Sequence, residues 1–359
     1  MKKMTLVICA AIMSAATFAG CAGAAADPGT AANVKIDEGV DTKTEVTGYK
    51  DVTGKYTSYF PKEGDKVAVI SPSALPTREQ TDAVVKGLKE WGYDPVEGKY
   101  ACVEERTLDD CVEDLKWALT APEIKAVYCV RGGHASSEVM DVIPKDLIAT
   151  SKKPVIGYSD ISVYHAAWTV AGQPSVHSSM SASFMDLPKE CAEIQQHLVK
   201  GEAPGYRCEG SPYDRQGSAE GILTGGNLSS FLTVLDTDYN PVGTDKPYIL
   251  FLEDVNVDME YVNRCMTILK HKGVLENASG IVFGEWIDVA TECDTYSGNS
   301  RGGRFKSVAD MISRQFTNEL GIPVAFGFPA GHGEKNYPLL MGAEVRLDVK
   351  DGSYTLDWK

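Results

Sequence analysis

The chain has 359 residues, with 50 acidic against 35 basic side chains and a formal charge of −15. Its 43% hydrophobic content is ordinary for a folded protein, and the length allows two domains. A strongly acidic chain without a basic cluster argues against nucleic acid and anionic membrane surfaces as electrostatic partners.

Lys2 and Lys3 precede the apolar stretch Met4–Ala16, which has the length of a signal-peptide core and is too short to span a bilayer. Small residues then lead to a cysteine in Phe18-Ala19-Gly20-Cys21, which resembles the lipobox of bacterial lipoproteins. That resemblance implies cleavage before Cys21, lipidation of Cys21, and an extracytoplasmic protein anchored to the bacterial cell membrane. An ordinary signal peptide cut nearby is the plainer alternative, and it also implies export. Removing residues 1–20 takes away Lys2 and Lys3 and moves the charge from −15 to −17. Ala22–Thr53 is rich in Ala, Gly, Thr, Lys and Asp without an apolar period, as in a flexible tether. The expected organisation is a signal peptide (1–20), a lipidated cysteine and tether (21–58), an N-terminal nucleophile domain (59–186), a linker (187–216) and a C-terminal domain (217–359).

Lys66–Ile70 reads as a strand ending at Ser71-Pro72-Ser73. Thr77 with Gln80 forms a capping-box pattern, Val84, Leu88 and Trp91 keep helical spacing, and Gly92 is a stop. Leu108–Leu119 reads as a helix, Ala126–Val130 as a strand followed by Arg131-Gly132-Gly133, and Ser136–Val142 as a helix. Pro154–Gly157 is a strand that turns through Tyr158-Ser159-Asp160 into the helix-like Ile161–Val170. Phe184–Gly217 lacks a clear period. Tyr248–Leu252 is a strand ending at Glu253-Asp254, and Met259, Val262, Met266 and Leu269 mark a helix face stopped by Gly273. Gly280–Gly284 is a strand, Lys306–Glu319 a helix, and Pro323–Phe328 a strand leading to Gly331-His332-Gly333. Glu344–Val349 and Ser353–Leu356 form a closing hairpin. Alternating strands and helices predict an α/β fold. Its N-terminal half is a parallel sheet with helices on both faces, and its C-terminal half is a smaller mixed domain, with the site between them.

A strand that turns sharply into a helix exposes a serine hydroxyl beside unpaired backbone amides, the geometry of an activated nucleophile and its oxyanion site. Ser159 stands at such a turn, though Ile161 replaces the second glycine of Gly-x-Ser-x-Gly, and a serine that merely caps the next helix is the bland alternative. A serine needs a base. His197 and His271 lie on polar helical stretches and are expected in solvent, and His165 is expected to pack in the helix after Ser159. His177 could line a cleft, His134 follows the glycine pair, and His332, bracketed by glycines past a strand, is best placed for a cleft. Glu253 ends an apolar strand and needs a partner, either that base or a structural cation such as Arg264. No Cys-x-x-Cys or Cys/His spacing suggests zinc, and neither a metal nor a cofactor is expected. Of the nine cysteines, Cys102–Cys111 and Cys191–Cys208 are the expected disulfides. Cys129 and Cys265 are expected as buried thiols.

Six segments in order resemble the LD-carboxypeptidase family of serine peptidases, which also holds the microcin C immunity peptidases. They are Ser71-Pro72-Ser73; Val130 to Gly133; Gly157 to Ser162; Leu223-Thr224-Gly225-Gly226-Asn227-Leu228; Leu252 to Asn256 with Arg264 beyond; and Phe328 to Gly333. The resemblance implies Ser159 as nucleophile, Glu253 as orienting carboxylate and His332 as base, with the backbone amides of Gly133 and Asp160 as oxyanion hole. Arg131, beside the oxyanion-loop glycines, and Asn227 are candidate substrate contacts; the competing reading of Arg131 is that it holds the loop through an internal ion pair and never meets substrate. Many members read Arg-Gly-Gly-Tyr-Gly where this chain has Arg131-Gly132-Gly133-His134-Ala135, which bears on substrate contacts. The implied reaction is metal-free hydrolysis of the L,D bond to the terminal D-alanine of a murein tetrapeptide, in wall remodelling or recycling. The expected partners are that peptide and a membrane, through the lipid; a homodimer is left open. The alternatives are a solute-binding lipoprotein for a peptide or muropeptide, and a peptidase that inactivates a peptidyl-nucleotide antibiotic.

Overall fold

The computed structural model describes residues 43–56, 59–180, 187–290 and 305–359. The expected signal peptide and lipidated Cys21, together with Cys9 and Cys293, lie outside the described residues. In chain order the first strands are β1 (Thr44–Asp51), β2 (Lys66–Ile70), β3 (Asp94–Glu97), β4 (Ile124–Cys129), β5 (Val155–Gly157) and β6 (Ser175–His177). There follow β7 (Glu202–Glu209), β8 (Gly217–Asn227), β9 (Tyr248–Val255) and β10 (Gly280–Ile287). The last four are β11 (Val324–Phe326), β12 (Leu339–Met341), β13 (Glu344–Lys350) and β14 (Ser353–Trp358).

Two sheets result. One has six strands in the order β12-β6-β5-β4-β2-β3, and the other eight in the order β1-β7-β14-β13-β8-β9-β10-β11. In the six-stranded sheet β2 to β6 pair in parallel, and β12, from the far end of the chain, closes one edge antiparallel to β6. The near-continuous apolar sequence of β4, buried along almost its whole length, suits a strand covered on both faces. The helices between these strands carry the expected signals. Helix α1 (Arg78–Glu90) opens on the Thr77/Gln80 capping box, and α2 (Leu108–Thr120) on a second one from Thr107 and Asp110. The expected hairpin is β13–β14, and the apolar face at Met259, Val262, Met266 and Leu269 is buried in the helix Met259–His271.

The mixed sheet, expected in the smaller half, has more strands because it recruits segments read as loops. Thr44–Asp51, within the expected tether, pairs antiparallel with β7 as an edge strand. It is exposed along most of its length, so it has no apolar alternation to read. The expected linker carries the helix Lys189–Val199, which buries Cys191, Ile194 and Leu198, and then β7. The expected helix Lys306–Glu319 is a short helix, Val308–Ile312, running into a π-turn at Ser313–Thr317.

The expected disulfides are absent: Cys102, Cys111, Cys191 and Cys208 are free thiols. The Cys102 thiol turns to the Pro76 carbonyl at 3.7 Å and Cys111 to the Ser71 carbonyl at 3.8 Å. Cys208 instead accepts from Thr44 Oγ1 across the β1–β7 pair. Cys129 and Cys265 are buried thiols, as expected.

One helix sets the site. Ser162–Val170 buries every residue from Ser162 to Trp168, so it is covered on all sides. Toward the six-stranded sheet, His165 bonds Ser175 at 2.8 Å and the Gly157 carbonyl at 2.9 Å. Toward the eight-stranded sheet, Ser162 Oγ accepts from the Asn227 N–H at 2.8 Å, and Gly226 leaves no room for a side chain against Ser162. The N-terminal end of this helix therefore lies where the carboxyl ends of both sets of parallel strands converge.

Candidate active site

Ser159 lies between β5 and that helix, in a single 3₁₀ turn, Ser159–Ile161. Its φ is +62°, a left-handed conformation uncommon outside glycine and costly for a serine. Gly157 before it has φ +157°, and a Cβ there would approach Met180 Sδ to 3.0 Å and Ile161 to 3.1 Å. The sharp turn lifts the Ser159 side chain toward the mixed sheet.

There it meets His332. Ser159 Oγ is 3.0 Å from His332 Nε2, and His332 Nδ1 is 2.7 Å from Glu253 Oε2. Glu253 lies near the end of β9, opposite Asn227 of β8, and is fully buried. A proton on Nδ1 donated to Glu253 leaves Nε2 as the acceptor for the Ser159 hydroxyl. Burial works against the imidazolium, but the charge of Glu253 and its hydrogen bond outweigh it, with help from Asp254 and Glu285, and hold His332 above its usual 6.5. The Tyr158 ring lies 4.9 Å from the imidazole, centre to centre. Two glycines make space for the long carboxylate side chain. A Cβ on Gly331, whose φ is +133°, would lie 2.7 Å from Glu253 Oε2, and one on Gly284 would lie 3.0 Å from Glu253 Cβ. The carboxylate read as needing a partner thus has the histidine, rather than Arg264.

The glycine loop after β4 lies against the serine. A Cβ on Gly132 would sit 2.9 Å from Ser159 Cβ, 3.1 Å from its Oγ and 3.3 Å from the Asp160 nitrogen. Only a bare backbone fits, and the Gly132–Gly133 peptide runs past the hydroxyl. The Asp160 N–H starts the 3₁₀ turn, where a helix has no acceptor of its own to offer. A hydroxyl with a base behind it and backbone amides beside it can attack a carbonyl and hold the resulting oxyanion.

Arg131 is exposed, and its Nη1 donates to the Leu75 carbonyl at 2.9 Å, so among the described residues its brace is a carbonyl rather than an ion pair. Asn227 is turned inward: its Oδ1 caps the helix Leu228–Leu232 at the Ser230 N–H, 3.2 Å away, and its Nδ2 donates to Asp254 at 2.9 Å. The side chain proposed from resemblance as a substrate contact is engaged in holding β8 to β9. His165 is packed as expected, and its burial pulls it down to about 4. His177 does not line an open cleft; it is fully buried, which pushes it well below its usual value, and it packs edge-on to Phe251 at 5.3 Å. His197, expected in solvent, stacks on Tyr49 at 4.0 Å and pairs with Glu202. His134 and His271 are exposed.

Some residues around the site gave no signal of their role. Arg106 donates to the carbonyls of Ser71 and Ser73, at 2.5 and 2.7 Å, and so fixes the loop after β2. Asn336, buried and at φ +33°, accepts from the Gly331 N–H at 3.0 Å and donates to Ser179 Oγ at 3.1 Å, which anchors the histidine loop. Arg106 reaches backbone 33 and 35 residues away, and Asn336 ties its own loop to a side chain 157 residues away, which no spacing rule reports.

Residues 67–178 match the family model of the LD-carboxypeptidase N-terminal domain, and residues 220–347 that of the C-terminal domain. A Streptomyces coelicolor protein named as a carboxypeptidase is 29% identical over 308 residues, covering 82% of this chain and 94% of its own. The murein tetrapeptide carboxypeptidase of Pseudomonas aeruginosa is 26% identical over 299 residues, covering 78% and 91%. In fold, the chain is similar to the muramoyltetrapeptide carboxypeptidase of Oxalobacter formigenes, with a TM-score of 0.70 at 24% identity, covering 82% of this chain and 98% of that one. It is also similar to the microcin C7 self-immunity protein MccF in complex with aspartyl sulfamoyl adenosine, with a TM-score of 0.68 at 18% identity, covering 84% and 98%. Both domain models match in order on either side of the Ser159–His332 contact, and the chain belongs to the LD-carboxypeptidase family of serine peptidases.

Proposed function

We propose that this protein is a serine carboxypeptidase that hydrolyses the L,D bond to the terminal D-alanine of murein tetrapeptides, with Ser159, His332 and Glu253 as its catalytic residues. The observation that carries the reading is the unbroken chain from Ser159 Oγ through His332 to the buried Glu253, at 3.0 and 2.7 Å. Ser159 attacks the carbonyl of the L-centre while His332 Nε2 takes its proton. The oxyanion is held by the Gly133 and Asp160 amides. His332 then gives the proton to the nitrogen of the leaving D-alanine, and the acyl-enzyme forms. Water, deprotonated by the same nitrogen, releases the tripeptide and restores the serine. Glu253 keeps the proton on Nδ1 and stabilises the imidazolium. Export and a lipid on Cys21 belong to the same proposal: an enzyme tethered outside the cytoplasm meets wall peptides directly.

The likeness to MccF favours one second reading, deacylation of a peptidyl nucleotide, which asks the same chemistry of the same residues. Incubating the protein with muropeptides and with an aminoacyl sulfamoyl nucleoside, and following each by mass spectrometry, separates the two. Turnover of the nucleoside conjugate alone would overturn the murein assignment.

A further inference from the structure

Beyond the serine, histidine and glutamate, the side chain of Asp160 stands out. It is 5% exposed, and all its partners are neutral donors. Oδ2 accepts from Ser73 Oγ at 2.5 Å and from the Ser136 N–H at 2.9 Å, and Oδ1 accepts from Ser230 Oγ at 3.2 Å. Ser73 Oγ in turn accepts from the Ala135 N–H at 3.3 Å, and the Gly132 carbonyl accepts from the Ala74 N–H at 3.1 Å. One carboxylate therefore ties together four segments, each past the carboxyl end of a parallel strand. They are the loop after β2, the glycine loop after β4, the serine turn after β5 and the helix after β8.

The placement matters because the two amides read as the oxyanion hole come from different segments. One is the N–H of Asp160 itself, and the other is on the glycine loop. No strand pairing connects the serine turn to the glycine loop beyond Val127 with Val155 and Tyr128 with Ile156. Past those residues the Asp160 carboxylate spans them, directly at Ser136 and through Ser73 at Ala135. Ala135 and Ser136 follow Gly133 with only His134 between, so a shift at either moves the Gly133 amide.

We infer that Asp160 is a positioning residue: its side chain sets the distance between the two halves of the oxyanion hole, a role that presupposes Ser159 as the nucleophile. The side chain acts through the geometry of its bonds and not through its charge. In Asp160→Asn one amide orientation satisfies every partner. The oxygen receives Ser73 and Ser136, and the NH₂ donates to the Ser230 hydroxyl, which can reverse. In Asp160→Ala all three ties are gone.

The test measures kcat, KM and the rate of fluorophosphonate labelling of Ser159 for the full-length protein and the variants Asp160→Ala, Asp160→Asn and Ser73→Ala. Asp160→Ala is expected to lose about 10²-fold in kcat, the scale of a 1 Å misplacement at a reacting centre, with KM within about threefold of wild type. Labelling should fall by the same factor, since the phosphonate also needs the hole. Asp160→Asn should recover most of the loss, and Ser73→Ala, which keeps the direct tie to Ser136, should lose about tenfold. An Asn variant as poor as the Ala variant would overturn the proposal in favour of a charge effect. So would a loss lying wholly in KM, or a folded Asp160→Ala with a third or more of wild-type kcat. Should Asp160→Ala fail to fold, an unchanged kcat in Ser73→Ala overturns it. An inactive wild type that resists labelling would instead refute the nucleophile reading, a different result from any of these.

Discussion

Gly331→Ala probes the contact on which the catalytic reading depends, without touching any group that reacts. The new Cβ would lie 2.7 Å from Glu253 Oε2, 3.0 Å from Cγ and 3.1 Å from Cβ, so the whole carboxylate arm is in its way. Moving Oε2 from 2.7 Å out to ordinary contact near 3.4 Å takes a displacement of about 0.7 Å. If it moves away from His332, the 2.7 Å bond lengthens to about 3.4 Å and weakens, and the imidazole loses its fixed tautomer and orientation. A displacement of this order costs about 10²-fold in kcat/KM. The backbone at φ +133° adds strain of about 1–3 kcal/mol, which the thermal midpoint reports. Gly352→Ala is the matched control. Its φ of +72° is also strained, nothing lies within 4 Å of a Cβ there, and it sits in the β13–β14 turn. Both variants should lose stability, and only Gly331→Ala should lose activity. Equal activity in the two at a temperature where both are folded would refute the claim that Glu253 acts through that contact.

Other consequences are as direct. Glu253→Gln removes the largest influences that raise His332, leaving only the weaker ones of Asp254 and Glu285 against the burial that lowers it. A base must be neutral to work, so the acidic limb of kcat/KM lies above 6.5 in wild type and moves to lower pH in the variant, while the plateau falls by as much as about 10⁴-fold; an unmoved limb would contradict the assignment. If Arg131 receives the terminal carboxylate, Arg131→Lys impairs the tetrapeptide far more than its C-terminal amide, because lysine lacks the planar fork. If it only braces Leu75, both substrates suffer alike and the thermal midpoint falls. Cys21→Ser should move the protein out of the membrane fraction, and unchanged membrane association would count against lipidation.

Much of the site was legible because each of its residues punctuates an apolar run. Ser159 follows Val155–Gly157, Glu253 falls near the end of the buried strand Tyr248–Val255, and His332 follows the strand Val324–Phe326. A polar residue at such a point must be solvated or partnered, which makes it visible. The order of serine, acid and histidine then suggested a set, but only the register of β8 on β9 and the helix packed between the sheets bring the three within reach. What stayed hidden follows from the same physics. Thr44–Asp51 is exposed along an edge and held mainly by backbone pairing, which leaves no mark in composition. Lys189–Val199 does carry a helical period, at Cys191, Ile194 and Leu198, but it is short and set among glycines and prolines. Arg106 and Asp160 act by bonding to segments 24 to 87 residues away, which no local pattern encodes. Nearness in sequence suggests pairing Cys102 with Cys111, yet the two thiols turn to separate carbonyls.

The most direct test of the account is mass spectrometry of muropeptides incubated with the wild-type protein and with Ser159→Ala. The account predicts that wild type converts tetrapeptides to tripeptides with release of D-alanine, and leaves pentapeptides ending in D-alanyl-D-alanine uncut at the D,D bond. Ser159→Ala should lose about four powers of ten in rate, as expected where nucleophile and base work as a unit. A Ser159→Ala protein that still produced tripeptide at roughly a tenth of the wild-type rate would contradict the account at its centre.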